Sequence, residues 1–72
     1  MNIDTPQGMA QAAAWTQAQI SRLKPGGIWI IPRSGTQVQV FPATKTVVID
    51  GPEKALLSRV FTHMGYRVSK MT

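Results

Sequence analysis

Cysteine is absent from the 72 residues, which excludes disulfides and thiolate metal sites alike. Acids are scarce: Asp4, Asp50 and Glu53 are the three carboxylates, against eight lysines and arginines. Histidine occurs once, as His63. No stretch reaches the roughly 18 consecutive apolar residues of a membrane span, and residues 1–14 lack the basic start and continuous apolar centre of a secretory signal. A cytoplasmic protein with no membrane partner is therefore expected. No internal repeat, low-complexity tract or linker interrupts the chain, so one domain over residues 1–72 is expected. A chain this short buries only roughly 60% of its unfolded surface, so packing, helped by any self-association, must hold it together.

The scarcity of acids bears directly on chemistry. Asp4 precedes one predicted helix, and Asp50 and Glu53 stand at the start of another, where carboxylates satisfy free N–H groups and favour the positive helix end. With all three so placed, none remains for general acid–base work, for a metal or for orienting a histidine. His63 falls near the end of the second helix, a position that suits a dipole interaction or the edge of a core. Ser34-Gly35 and Pro25-Gly26-Gly27 match neither phosphate-loop pattern, and no Ser-His-Asp set can be assembled. The expectation is a protein that is not an enzyme and takes no cofactor or metal.

What is present is a regular alternation of elements. Thr5 can cap a helix and Pro6 suits its first position, so a helix is predicted over 7–24. Met9, Ala13, Thr16, Ile20 and Leu23 share one face, with Ala12 beside them and Trp15 on the flank at the core edge. Lys24-Pro25-Gly26-Gly27 stops that helix. Residues 28–31 read as a strand apolar on both faces, hence central or covered on both sides, although Pro32 weakens pairing at its end. Ser34-Gly35 reads as a two-residue hairpin turn. Over 36–41, Val38 and Val40 point one way, and Gln37, Gln39 and Phe41 the other. Residues 42–44 make a second turn, and 45–49 a third strand with Val47 and Ile49 on one face. Asp50-Gly51-Pro52-Glu53 resembles a capping box. The helix it opens carries Leu56, Leu57, Val60, Phe61 and Met64 on its apolar arc and ends at Gly65 in a left-handed conformation. Residues 66–70 alternate again, as a short fourth strand on an open edge. The fold class is therefore α+β: a three- or four-stranded antiparallel sheet packed against two helices, in the order α-β-β-β-α-(β).

The net charge of +5 favours an acidic partner. From Lys54 onward only bases remain, and Arg59, His63, Arg67 and Lys70 could form one basic patch from the second helix and the tail. Two partner classes follow. A nucleic acid would be read by Arg33, Gln37 and Gln39 on the hairpin, with Lys45, Arg67 and Lys70 on phosphates. A host protein with an acidic surface would meet aromatics and arginines, the residues that dominate binding hot spots. An exposed hairpin edge could also pair with a partner strand or with a second copy, giving a homodimer. The candidate contact surface is Trp29, Arg33, Gln37, Gln39 and Phe41 on the outer side of the hairpin, together with Arg59, Arg67 and Lys70.

Along Gly26-Gly27-Ile28-Trp29-Ile30-Ile31-Pro32-Arg33-Ser34-Gly35-Thr36, and again along Arg59-Val60-Phe61-Thr62-His63-Met64-Gly65-Tyr66-Arg67-Val68, the chain resembles small uncharacterised proteins of tailed bacteriophages, especially T7-like ones. The opening Asn2-Ile3-Asp4-Thr5-Pro6-Gln7-Gly8-Met9 is similar in style. The resemblance rests on turns, caps and strands and brings no functional residue with it. It implies a phage origin and a host-takeover role: a regulatory protein that binds a host macromolecule, with transcription machinery or another host protein as the lead target and direct DNA or RNA binding as the alternative.

Overall fold

The computed structural model describes residues 3–69. In chain order it contains α1 (Pro6–Ile20), β1 (Ile28–Ile30), β2 (Gln37–Phe41), a 3-10 turn (Pro42–Thr44), β3 (Thr46–Asp50), α2 (Lys54–His63) and β4 (Arg67–Ser69). The class is α+β and the element order is the expected one. The four strands lie in the order β1-β2-β3-β4. The sheet is mixed, however, because β4 runs parallel to β3. A helical crossover carries the chain back to the end at which the previous strand began, so the strand after α2 must run the same way as β3.

Helix α1 starts as its sequence dictates: Gly8 N–H donates to the Thr5 hydroxyl at 3.0 Å and Pro6 takes the first turn. It stops at Ile20, before the predicted 24. Lys24-Pro25-Gly26-Gly27 instead forms a separate turn, closed by Gly27 N–H to Lys24 C=O at 2.8 Å with Gly26 at φ 75°. Gly26 N–H then donates to Val40 C=O, while Val40 N–H donates to Gly27 C=O. Two residues thus face one across the pair, a bulge that leads the chain into β1.

Strand β1 is an edge strand with one open face, not the central or doubly covered strand that its apolar run suggested. The turn after it is longer than two residues. Ile31 N–H donates to Thr36 C=O at 2.9 Å, leaving Pro32-Arg33-Ser34-Gly35 as a four-residue loop with Gly35 at φ 74°. Pro32 sits second in the turn closed by Ser34 N–H to Ile31 C=O, where its fixed φ is suited.

Period-two alternation divides the sheet into two faces. Trp29, Val38 and Ile49 lie in one row across the inner face, and Val40, Val47 and Val68 in the other. Leu57 and Phe61 of α2 and Ile20 of α1 close over them to form the main core. Helix α2 lies against β3 and β4, and α1 packs on α2, where Ile3, Ala12 and Val60 form a second cluster.

The expected capping box does not form. Asp50 belongs to β3, and Glu53, the residue preceding α2, makes no side-chain cap. Glu53 is instead bound to the β1–β2 loop. Its N–H donates to Thr36 Oγ1 at 3.2 Å, and its carboxylate accepts from the Ser34 hydroxyl at 3.0 Å. Ser34 and Thr36 share a third bond at 2.7 Å, which closes the ring. Gly51 passes so near this knot that a Cβ there would lie 2.6 Å from Thr36 Cα, and its φ of 132° is itself a glycine conformation.

Two threonines of opposite circumstance test this account. Thr36 and Thr16 are 0% and 1% exposed, but Thr16 Oγ1 has no hydrogen-bond partner among the described residues. Thr36→Val strands the Glu53 N–H and should lower unfolding stability by about 2 kcal/mol, whereas Thr16→Val removes a desolvated hydroxyl and should raise it by about 1 kcal/mol. Urea unfolding of the two isosteric variants reads both signs. In the same assay Gly51→Ala should cost about 3 kcal/mol, since it adds both strain and overlap.

Candidate partner-binding surface

Among the described residues no helix lies over the outer face of the sheet. The residues left there by the inner rows form three cross-strand rows: Ile28, Gln39, Val48 and Ser69; Ile30, Gln37 and Asp50; Phe41, Thr46 and Arg67. Ile28 and Ile30 are 52% and 54% exposed, and Phe41 is 37% exposed. Three large apolar side chains on one uncovered face, with Val48 half-buried between the glutamines and Ser69, is more apolar area than a solvent-facing sheet needs. Asp50 and Arg67 stand at opposite ends of this face, about 13 Å apart along the strands. Gln39 is partly committed, since its Nε2 donates to Gly26 C=O at 3.2 Å.

The residues predicted for contact do not all meet. Gln37, Gln39, Phe41 and Arg67 share the outer face. Trp29 does not: it points inward, half-buried, with its ring edge-on to Trp15 at 5.2 Å. Arg33 lies in the β1–β2 loop beside a groove of about 580 Å³ lined by Trp15, Ile31, Leu56 and Leu57, on the helix side of the sheet. Arg59 is on α2, 3.3 Å from Asp4. Both side chains of that pair are largely exposed, so solvent screens it and its effect on stability is small. Lys70 lies outside the described residues. Because α2 covers the inner face and Arg67 projects from the outer one, Arg59 and Arg67 are on opposite sides of the sheet. The basic patch expected from the second helix and the tail therefore does not assemble.

Ile28, Ile30 and Val48 are the members of this surface that sequence reasoning missed. The signal was present: once Trp29 faces the core, a strand apolar at every position must expose its other two residues. An apolar run reads as central or covered on both sides because edge position cannot be read from composition.

The acids also stand differently from expectation. Asp50 is exposed on the outer face and Glu53 is bound to Ser34, so neither caps a helix. His63 is exposed in the last turn of α2, beside Met9, Arg59 and Thr62 on a shallow surface. Among the described residues no group of three or more histidine or acidic side chains is placed to hold a metal. Compared with known proteins, the chain matches no family model, no curated protein and no solved structure.

The same substitution at adjacent positions distinguishes the two faces. Val47 is fully buried, so Val47→Thr should cost about 2 kcal/mol by burying a hydroxyl without a partner. Val48→Thr, on the outer face beside Gln39 and Ser69, should cost less than about 0.5 kcal/mol. Thermal and urea unfolding of the pair checks the difference.

Proposed function

We propose that this chain is a non-catalytic binding protein that engages a protein partner through the outer face of its sheet. The observation that carries this reading is the set of exposed apolar side chains Ile28, Ile30 and Phe41 on the uncovered face, in the same rows as Gln37, Gln39 and Arg67. An apolar centre with polar and arginine neighbours is the usual composition of a protein–protein contact. A nucleic-acid surface would instead present several cations to phosphates. Among the strand residues on this face Arg67 is the one base, and Asp50 would repel a phosphate backbone. In the phage reading the partner is a host protein with an acidic surface, transcription machinery foremost, and the site of action is the host cytoplasm. Among the described residues no helix is long and apolar enough to cross a membrane.

The test is affinity capture from host extract at moderate salt, with and without nuclease, using the wild type and a Phe41→Ala/Arg67→Glu variant. A specific partner should survive nuclease and fall by at least about tenfold with the variant, the loss expected from removing two contact residues. Loss of every captured species on nuclease treatment would replace this reading with direct nucleic-acid binding. Capture that the variant leaves unchanged would remove the outer face from the function.

A further inference from the structure

The two edges of the sheet are not equivalent. β4 carries exposed Arg67, and a charge on an edge strand discourages further pairing. β1, at the other edge, is Ile28-Trp29-Ile30, without a charged or amide side chain. Its backbone is also free in a defined pattern. Gly27 and Ile31 bond to β2, and strict alternation places Trp29 with them, in register with Val38. The N–H and C=O groups of Ile28 and Ile30 therefore point away from the sheet. Trp15, Ile28 and Ile30, the most exposed large apolar residues described, all belong to this strand or lean against it.

From this we propose that β1 pairs antiparallel with β1 of a second copy, around a two-fold axis at Trp29, to make one continuous eight-stranded sheet. The occupant is fixed by the strand itself. An antiparallel two-fold at Trp29 sets Ile28 of one copy opposite Ile30 of the other, and again on the far side, and because both residues are isoleucine each couple is apolar and uncharged. Those two residues are the ones with free backbone groups, so each Ile28–Ile30 couple exchanges two hydrogen bonds. The pairing is bounded at both ends. Pro32 has no N–H to give, and the Gly26 N–H already serves Val40. On the helix side the two Trp29 rings meet across the axis, each backed by its own Trp15. On the outer face four isoleucines become one patch. The proposal goes beyond the partner reading above and stands apart from it, because it concerns the edge of the sheet and not the face.

The experiment uses the unaltered chain. Sedimentation and tryptophan emission are followed between about 5 and about 500 µM, the range in which small interfaces associate, with amide hydrogen exchange by NMR at both ends. The expected result is a dimer in which the Ile28 and Ile30 amides exchange slowly at high concentration and rapidly on dilution, with a blue shift of emission as it forms. Ile30→Pro removes an outward donor without touching the bonds to β2, and should weaken dimerisation by at least about tenfold while keeping the fold. A monomer throughout the range would overturn the proposal. So would a dimer whose Ile28 and Ile30 amides stay unprotected, or a folded Ile30→Pro chain that still dimerises. If that variant does not fold, amide exchange in the unaltered chain decides the matter alone.

Discussion

Thr36 occupies the point where two segments distant in the chain, residues 34–36 and 51–53, come within bonding distance. Its side chain is fully buried; it accepts from the Glu53 N–H and donates to the Ser34 hydroxyl, which in turn donates to the Glu53 carboxylate. The three bonds can run in one direction around the ring, each hydroxyl donating once and accepting once, so no buried polar group is left over. Gly51 fits against Thr36 only because it has no Cβ. The arrangement substitutes for the helix cap that α2 lacks, and it fixes where that helix begins relative to the β1–β2 loop. The direction of α2 then determines where the chain re-emerges, at Gly65 with φ 90°, and so brings β4 alongside β3 in parallel.

That fixed crossover leaves a two-layer molecule with both helices on one side. Every inner position of β2 and β3 is a valine or isoleucine and every one is buried, which is all the core a chain of this size can assemble. The outer face has no such demand on it, yet it carries isoleucine, valine and phenylalanine among its glutamines. Folding gives no reason for apolar residues there, because replacing them with polar ones would leave the inner rows untouched. That excess over what stability requires is what supports the proposed binding role.

The parts of this structure legible from sequence are those governed by local rules. Thr5-Pro6 marks the start of α1, Gly65 the end of α2, and the alternation of Gln37 to Phe41 assigns each side chain to its face. What was not legible depends on where distant segments meet. Asp50-Gly51-Pro52-Glu53 has the pattern of a capping box, but the Thr36 hydroxyl, 17 residues away from Glu53, takes the role that a local cap would fill. Residues 21–24 have helical character, yet the chain needs them for the turn and bulge that aim β1. The contact residues divide in the same way. Gln37, Gln39 and Phe41 were placed together by period two, whereas joining Arg59 to Arg67 required knowing which face α2 covers. Trp29 was misassigned because its neighbours are as apolar as it is, and only packing against Trp15 decides which of the three turns inward.

Charge limits how copies of such a chain can approach one another. At +5 they repel one another, and in physiological salt that repulsion is largely screened beyond about 8 Å but is felt at closer approach. Any contact between them must therefore be short-ranged and must form where no cation projects. Lys45 immediately precedes β3, β3 ends in Asp50, β4 begins with Arg67, and α2 carries Lys54 and Arg59. β1 alone has neither charge nor amide in its side chains, and it alone combines free backbone donors and acceptors with exposed apolar surface. The feature that makes this strand an anomaly within one copy, an apolar run placed at an edge, is the one that suits it to a seam between two. The acids reinforce the argument. With three of them in the chain and Glu53 held by Ser34, there is too little negative charge for an ion-pair network to bring two copies together, and the seam must rely on hydrogen bonds and apolar contact.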